Sequence, residues 1–255
     1  MNRQMVHPAV IRAEGETSET TTTQGCVMPR ARAPPPSRLR AAFMVRAARL
    51  FDWPSAPGYY ALMRDADVRS ALRATVLARH LRDPSTLVVD ELGLDQGAVR
   101  VDIAVVNGRL HGYEIKSDAD TLDRLPTQAA AYSRVFDRVT LVAGLRHLDK
   151  AAALVPPWWG LRAAEANAGG GVRFRCVRPE LANPDVDLAA VAALLWREEA
   201  LALLVAEGRA RGLASKPRRD LCAALVATLP AAQLRRSVRD ALKTRTTWRA
   251  GSPHT

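Results

Sequence analysis

Three residues in one short stretch have the types and spacing for phosphate chemistry. Asp102 lies in the segment RVDIAVVNGRLHGYEIK (residues 100–116), and Glu114-Ile115-Lys116 follows twelve residues on. Two carboxylates can hold Mg²⁺ or Mn²⁺, hard ions that prefer oxygen ligands. Such an ion polarises a phosphate and eases deprotonation of water. An ammonium beside them orients the attacking water or stabilises charge on a phosphorane-like transition state. An acid-x-lysine triplet alone has little specificity, because it occurs on many solvated strands and helices. On the plainer reading Asp102 ends a strand at a sheet edge, and Glu114 with Lys116 forms a solvated pair worth under about 1 kcal/mol.

The flanking pattern favours the chemical reading. Val101, Ile103 and Val105 alternate with Asp102, Ala104 and Val106, the period of a strand. Asn107-Gly108 is a hairpin signal, because both residues tolerate positive φ. The returning strand, Leu110 to Lys116, places Glu114 and Lys116 on one face. A strict two-residue turn would oppose Asp102 to Tyr113 and send Glu114 to the other side of the sheet. A shared cation therefore requires an odd loop. The expected form is Val106-Asn107-Gly108 with left-handed Gly108 and a G1 bulge, which sets Arg100 opposite Glu114 and Asp102 diagonal to it. A bulge elsewhere in either strand would serve equally. Beyond the hairpin, Gln128 and Tyr132 stand four apart on a predicted helix, so both project from one side of it.

Asp102 followed by Glu114-x-Lys116 resembles the PD-(D/E)XK nuclease superfamily, and the Gln128-x-x-x-Tyr132 spacing resembles the additional motif of its RecB-like members. The proline that precedes the first acid in that family is replaced here by Val101. The resemblance implies a restriction-endonuclease-like αβββαβ core in an α/β fold. It also implies hydrolysis of DNA phosphodiesters with Mg²⁺ or Mn²⁺. Asp102 and Glu114 would bind metal, Lys116 would organise the nucleophile, and Gln128 with Tyr132 would position substrate. The run GYEIKSDADTLDRLPTQAAAYSRVFDRVTLV is also similar to a family of uncharacterised bacterial proteins. That similarity extends through Trp158-Trp159 and Leu195-Trp196 to Trp248. The competing function is a nuclease-derived DNA-binding or regulatory protein without turnover. A third is an interaction protein that assembles through its helical tail.

Composition sets the outer bounds. At 255 residues, 48% hydrophobic and 25% charged, the chain has the make-up of a soluble globular protein. Cys26, Cys176 and Cys222 show no paired or metal-type spacing, which suits a reducing, cytoplasmic setting. The apolar run Leu188 to Ala206 is broken by Arg197-Glu198-Glu199 and makes a poor membrane span. Net charge is +11 but unevenly placed. From Ala61 to Lys150 thirteen Lys/Arg balance thirteen Asp/Glu, whereas from Gly208 to Thr255 eleven Lys/Arg face two aspartates. A basic C-terminal region fits a polyanionic partner, most simply nucleic acid.

In chain order, residues 1–45 read as a disordered, basic, low-complexity N-terminus, with Thr20–Thr23 and Pro34–Pro36 its clearest markers. Leu39 to Phe51 has the pattern of a short basic helix. Residues 59–180 form the expected nuclease-like domain. Its first helix is capped by Asp65 or Asp67 and runs to about Leu81, with Val68, Leu72 and Val76 on one stripe and Asp83-Pro84 as the stop. Asp67 is also a candidate acid. Thr86 to Leu92 is the first strand, and Glu91 near its end is a third metal-ligand candidate or a plain surface carboxylate. Leu125, Ala129, Tyr132 and Phe136 form the buried stripe of the Gln128 helix. Val139 to Ala143 is a further strand and Leu148 to Val155 a helix. Leu161 to Ala164 and Val172 to Val177 are closing strands. The Trp158-Trp159 pair is expected to pack the Leu148 to Val155 helix back on the sheet, with base stacking the alternative. Residues 185–248 form the basic helical subdomain: Asp185–Glu207, Pro217–Leu229 and Ala231 to about Arg245. The last two helices faintly resemble an SAP-type DNA-binding pair that lacks the usual glycine-lysine. The first helix of this subdomain docks either on the core or on a second copy of the chain, and the plainer reading of the region is a helical cap with a solvated basic face.

Overall fold

A computed structural model of the chain describes residues 63–245. The expected N-terminal segment, the Leu39–Phe51 helix and Trp248 lie outside the described residues. The described elements are α1 (Asp65–Ala74), α2 (Ala78–Arg82), β1 (Leu87–Leu94), β2 (Val99–Val106), β3 (Leu110–Lys116), α3 (Leu125–Val135), β4 (Arg138–Gly144) and α4 (Leu148–Leu154). They continue with β5 (Gly160–Ala166), β6 (Val172–Arg178), α5 (Leu188–Ala192), α6 (Arg197–Ala206), α7 (Arg218–Thr228) and α8 (Ala231–Thr244). The fold is mixed α/β, and its six strands lie in chain order across one sheet. The β1–β2, β2–β3 and β5–β6 pairs are antiparallel; β3–β4 and β4–β5 are parallel. No helix among the described residues is long and apolar enough to cross a membrane.

The sheet is covered on both faces. On one, Val68 and Leu72 of α1 pack with Ile103, Val105, Tyr113, Ile115 and Val142. On the other, Leu125, Ala129 and Tyr132 of α3, with Phe136 and Trp159, join a larger apolar cluster. That cluster also takes in Leu195, Leu204, Leu221 and Leu234, so the C-terminal helices share one core with the sheet. Gly112 lets α3 come close, since a Cβ there would stand 3.1 Å from the Phe136 ring. One turn earlier on the helix, Tyr132 is thereby brought over Glu114.

Three local expectations need correction. The first helix ends at Ala74 and a separate turn, α2, follows: Thr75 Oγ1 donates to the Ala71 carbonyl at 2.7 Å, and the chain leaves the α1 axis there. Its N-cap is Arg64, whose N–H donates to Asp67 Oδ2 at 3.3 Å, so Asp67 closes a cap. The helix expected over Asp185–Glu207 is two helices. Asp187 accepts from Ala189 N–H at 2.8 Å to start α5, and Glu199 accepts from Trp196 N–H at 2.7 Å to start α6. Between them the freed Leu194 carbonyl accepts from Arg245 at 2.6 Å, and the same guanidinium lies 4.3 Å over the Trp196 ring.

The third correction concerns the hairpin. Its loop is Asn107-Gly108-Arg109, with Val106 paired to Leu110 and Ile103 to Tyr113. Gly108 is not left-handed, so the expected G1 bulge does not form. Instead Asn107 Oδ1 accepts the Arg109 N–H at 3.1 Å, and Asn107 N–H donates to the Arg109 carbonyl at 3.1 Å. The loop is still odd, but it sits one residue further along the chain. That shifts the register by two and keeps its parity. Asp102, not Arg100, is the residue across from Glu114.

Candidate active site

The β2–β3 ladder gives way where the acids meet. The last backbone pair is Ile103 with Tyr113, and one step further Asp102 faces Glu114. There the Asp102 side chain replaces the partner strand's carbonyl: its Oδ2 accepts the Ile115 N–H at 2.7 Å. On its other side, β1 and β2 pair on either side of Glu91 and Asp102 but not between them. Glu91 has φ of 55°, a conformation that costs a non-glycine residue about 1 kcal/mol or more. The burial pattern slips at this point. Leu87 and Val89, then Leu92 and Leu94, all face the larger core, so the alternation resets around Glu91.

Glu114 is 1% exposed. Lys116 Nζ donates to its Oε1 at 2.6 Å. The Tyr132 hydroxyl lies 2.5 Å from its Oε2 and 2.6 Å from the Arg100 carbonyl, sharing one proton between them. Gln128 Nε2 donates to the Tyr132 oxygen at 3.4 Å. Burial, and then the Glu114 carboxylate, push the Tyr132 phenol far above its usual range, so it stays a donor. Its ring stacks on Trp159 at 5.8 Å, which makes Tyr132 a rigid post. Tyr132 is thus spent on the carboxylate, while Gln128 also lines the open cleft.

Asp102 is the perturbed acid. Burial, and then the nearby Glu114 charge, raise its pKa to about 7, against the opposing pull of the Ile115 N–H and Arg69. Arg69 went unnoticed in the sequence. It reaches in from α1, with Nη2 3.1 Å from Asp102 Oδ1 and 3.3 Å from Glu91 Oε1. Its Nη1 donates to the Asp102 carbonyl at 2.8 Å, and its Nε to Asp65 Oδ2 at 3.2 Å. The only hint was an acid–arginine pair four apart, Asp65 and Arg69, which has the spacing of an ordinary helix-surface contact.

These residues line a cleft of about 600 Å³ that includes Asp65, Arg69, Glu91, Asp102, Glu114 and Lys116. All three expected catalytic residues meet there. Two facing carboxylates, one holding its proton up to about neutral pH, form a hard oxygen pair of the kind Mg²⁺ or Mn²⁺ accepts, with water completing the shell. Glu91 lies on the cleft wall but pairs with Arg69. Among the described residues, no group of three His, Cys, Asp or Glu side chains is gathered closely enough to hold a metal ion.

Comparison with known proteins adds three findings. A family model described as Bacteriophage P4 protein cII matches residues 61–250. Protein cII of enterobacteria phage P4 is 28% identical over 117 residues, which is 46% of this chain and 44% of that protein, so the match spans less than half of the relative. Among solved structures, the SPO1766 protein of unknown function from Silicibacter pomeroyi aligns at 22% identity and a TM-score of 0.32, over 55% of this chain and 92% of its own. The family match runs through every residue of the cleft, and the chain belongs to the bacteriophage P4 protein cII family.

Proposed function

We propose that the cleft hydrolyses phosphodiester bonds of nucleic acid, DNA foremost, with a hard divalent cation, within a restriction-endonuclease-like αβββαβ core. The observation that carries this reading is the register that puts Asp102 across from Glu114, with Lys116 held 2.6 Å from the same carboxylate. Asp102 and Glu114 are the residues that would hold Mg²⁺ or Mn²⁺, which when bound supplies the charge that polarises the phosphate. Lys116, fixed by Glu114, is a preorganised cation that orients water or stabilises negative charge as it develops on phosphorus. Tyr132 and Gln128 keep the Glu114 carboxylate in place, so little reorganisation accompanies the reaction. The cytoplasm, where nucleic acid is abundant and the unpaired Cys176 and Cys222 stay reduced, is the setting this reading requires.

A second reading, DNA binding or regulation without turnover, is favoured by one feature. All four oxygens of the acidic pair already have donors within the protein: Arg69 and the Ile115 N–H on Asp102, Lys116 and Tyr132 on Glu114. The experiment compares the full chain with Asp102→Ala and Lys116→Ala on single- and double-stranded DNA in Mn²⁺. Hydrolysis that falls about 100-fold or more in both variants supports the enzyme. Hydrolysis surviving both substitutions rejects this cleft. Salt-sensitive binding without any cleavage selects the second reading.

A further inference from the structure

Successive residues of β3 face opposite sides of the sheet, so Tyr113 serves a different cavity from Glu114. That cavity, about 290 Å³, is lined by Arg79, Arg82, Tyr113, Arg162 and Glu180, with Thr75, Val76 and Ala78 of the α1–α2 turn. Its charges are not internally matched. Arg162 stands on β5, between buried Leu161 and Ala163, in a strand that β4 and β6 flank. Neither Arg162 nor Arg82 has an ion-pair or hydrogen-bond partner among the described residues. Among the described residues the one hydrogen bond of Arg79 is to the ring of its neighbour His80, at 3.3 Å. Glu180 is the one carboxylate on the wall and pairs with none of them. A guanidinium half-buried in an interior strand carries a desolvation cost that a bound anion would offset.

A second, independent observation points the same way. Tyr113 is 4% exposed and stacks on His111 at 4.3 Å, yet its hydroxyl has no hydrogen-bond partner among the described residues. The ring is buried, but the oxygen is not among the sealed polar atoms and reaches the open space of the cavity. There, with Arg82 further along the wall, the Glu180 carboxylate and the Arg162 and Arg79 guanidiniums all act on it. Burial holds its proton on up to about pH 12, so it is available as a donor throughout the physiological range.

We propose that this cavity is a phosphate-binding site, separate from the acidic cleft, in which Arg162, Arg82 and Arg79 supply charge and the Tyr113 hydroxyl donates to one oxygen. Planar guanidiniums match the geometry of a phosphate, and the volume admits a phosphate group with a small remainder of its carrier. The phosphate belongs either to a free nucleotide or to a nucleic-acid backbone; the chemistry of recognition is the same.

Isothermal titration of the full chain with inorganic pyrophosphate at low ionic strength tests it. The expected result is binding at one site that weakens by about tenfold or more in Arg162→Gln, and less in Arg82→Gln and Tyr113→Phe, as loss of charge-assisted and neutral hydrogen bonds requires. Arg162→Lys, which keeps the charge but loses the planar fork, falls between the wild type and Arg162→Gln. Because Arg162 has no partner to leave behind, Arg162→Gln does not lower the thermal midpoint, which separates loss of a site from loss of fold. Lys116→Ala binds pyrophosphate as the wild type does, so the result is independent of catalysis in the cleft. Competition by deoxyadenosine monophosphate alone identifies a free nucleotide, and competition by an oligonucleotide with hydroxyl ends identifies a backbone. Unchanged affinity in both Arg162→Gln and Tyr113→Phe, or affinity lost in a Lys116→Ala protein that still shows a cooperative thermal transition above the titration temperature, overturns the proposal.

Discussion

Glu114 and Tyr113 are neighbours in the chain, and the cavities they serve are opposites in electrostatic design. In the acidic cleft every carboxylate oxygen of the central pair meets a donor from the protein, and the two cations nearest them, Arg69 and Lys116, are both engaged. In the arginine-lined cavity the charges of one sign outnumber the other, and the side chains of Arg82, Arg162 and Glu180 and the Tyr113 hydroxyl have no hydrogen-bond partners among the described residues. The difference separates two tasks. A matched cluster holds its groups rigidly, so an incoming cation must compete for oxygens already in use. An unmatched cluster keeps its donors open to a ligand that arrives from outside.

The comparison is sharpest if a central charge is removed on each side. Lys116→Met leaves Glu114 buried without its cation, and urea unfolding should show a loss of about 3 kcal/mol, the usual cost of breaking a buried pair. Arg162→Gln in the same assay should show no loss. Equal losses in the two variants would remove the distinction drawn here.

A smaller effect is expected from Asp102. Its folded pKa, raised to about 7 from 3.8, means the folded state binds a proton that the unfolded state has released. The stability it contributes is therefore complete below about pH 4 and is lost as pH rises through 7. Unfolding without divalent cation at about pH 5 and about pH 8 should find Asp102→Asn gaining on the wild type by on the order of 2 kcal/mol. A difference independent of pH, or one that shrinks as pH rises, contradicts the charge crowding inferred for the pair.

The smallest change is Tyr132→Phe. One oxygen of Glu114 loses its donor while the ring still stacks on Trp159, so the thermal midpoint should fall by the equivalent of about 1 kcal/mol. No change at all would mean that Lys116 alone holds the carboxylate.

Much of this architecture was legible in the chain because it depends on neighbours in sequence. Alternation of Val101, Ile103 and Val105 marks a strand, and Asn107 supplies the side-chain acceptor that closes a tight loop. The stripe Leu125, Ala129, Tyr132 and Phe136 is buried as its helical spacing requires. The stretch from Asp185 has the apolar content of one helix, but two caps, Asp187 and Glu199, interrupt it with their acceptors. The hairpin loop lies one residue beyond its expected place, since Asn-Gly permits several loops and the one formed is closed by the Asn107 side chain.

The amino-acid sequence by itself determined which groups are present and on which elements: an acid on one strand, an acid and an amine on the next, a Gln–Tyr pair on one helix face. Backbone propensity and side-chain periodicity act over a few residues, so these assignments need no distant contact. Only the tertiary structure decided that Asp102 stands across from Glu114, that Arg69 crosses 33 positions to reach it, and that Tyr113 opens onto Arg162. Those meetings are set by sheet register and by the packing of α1 and α3 on opposite faces. Both emerge from the summed burial of residues far apart in the chain.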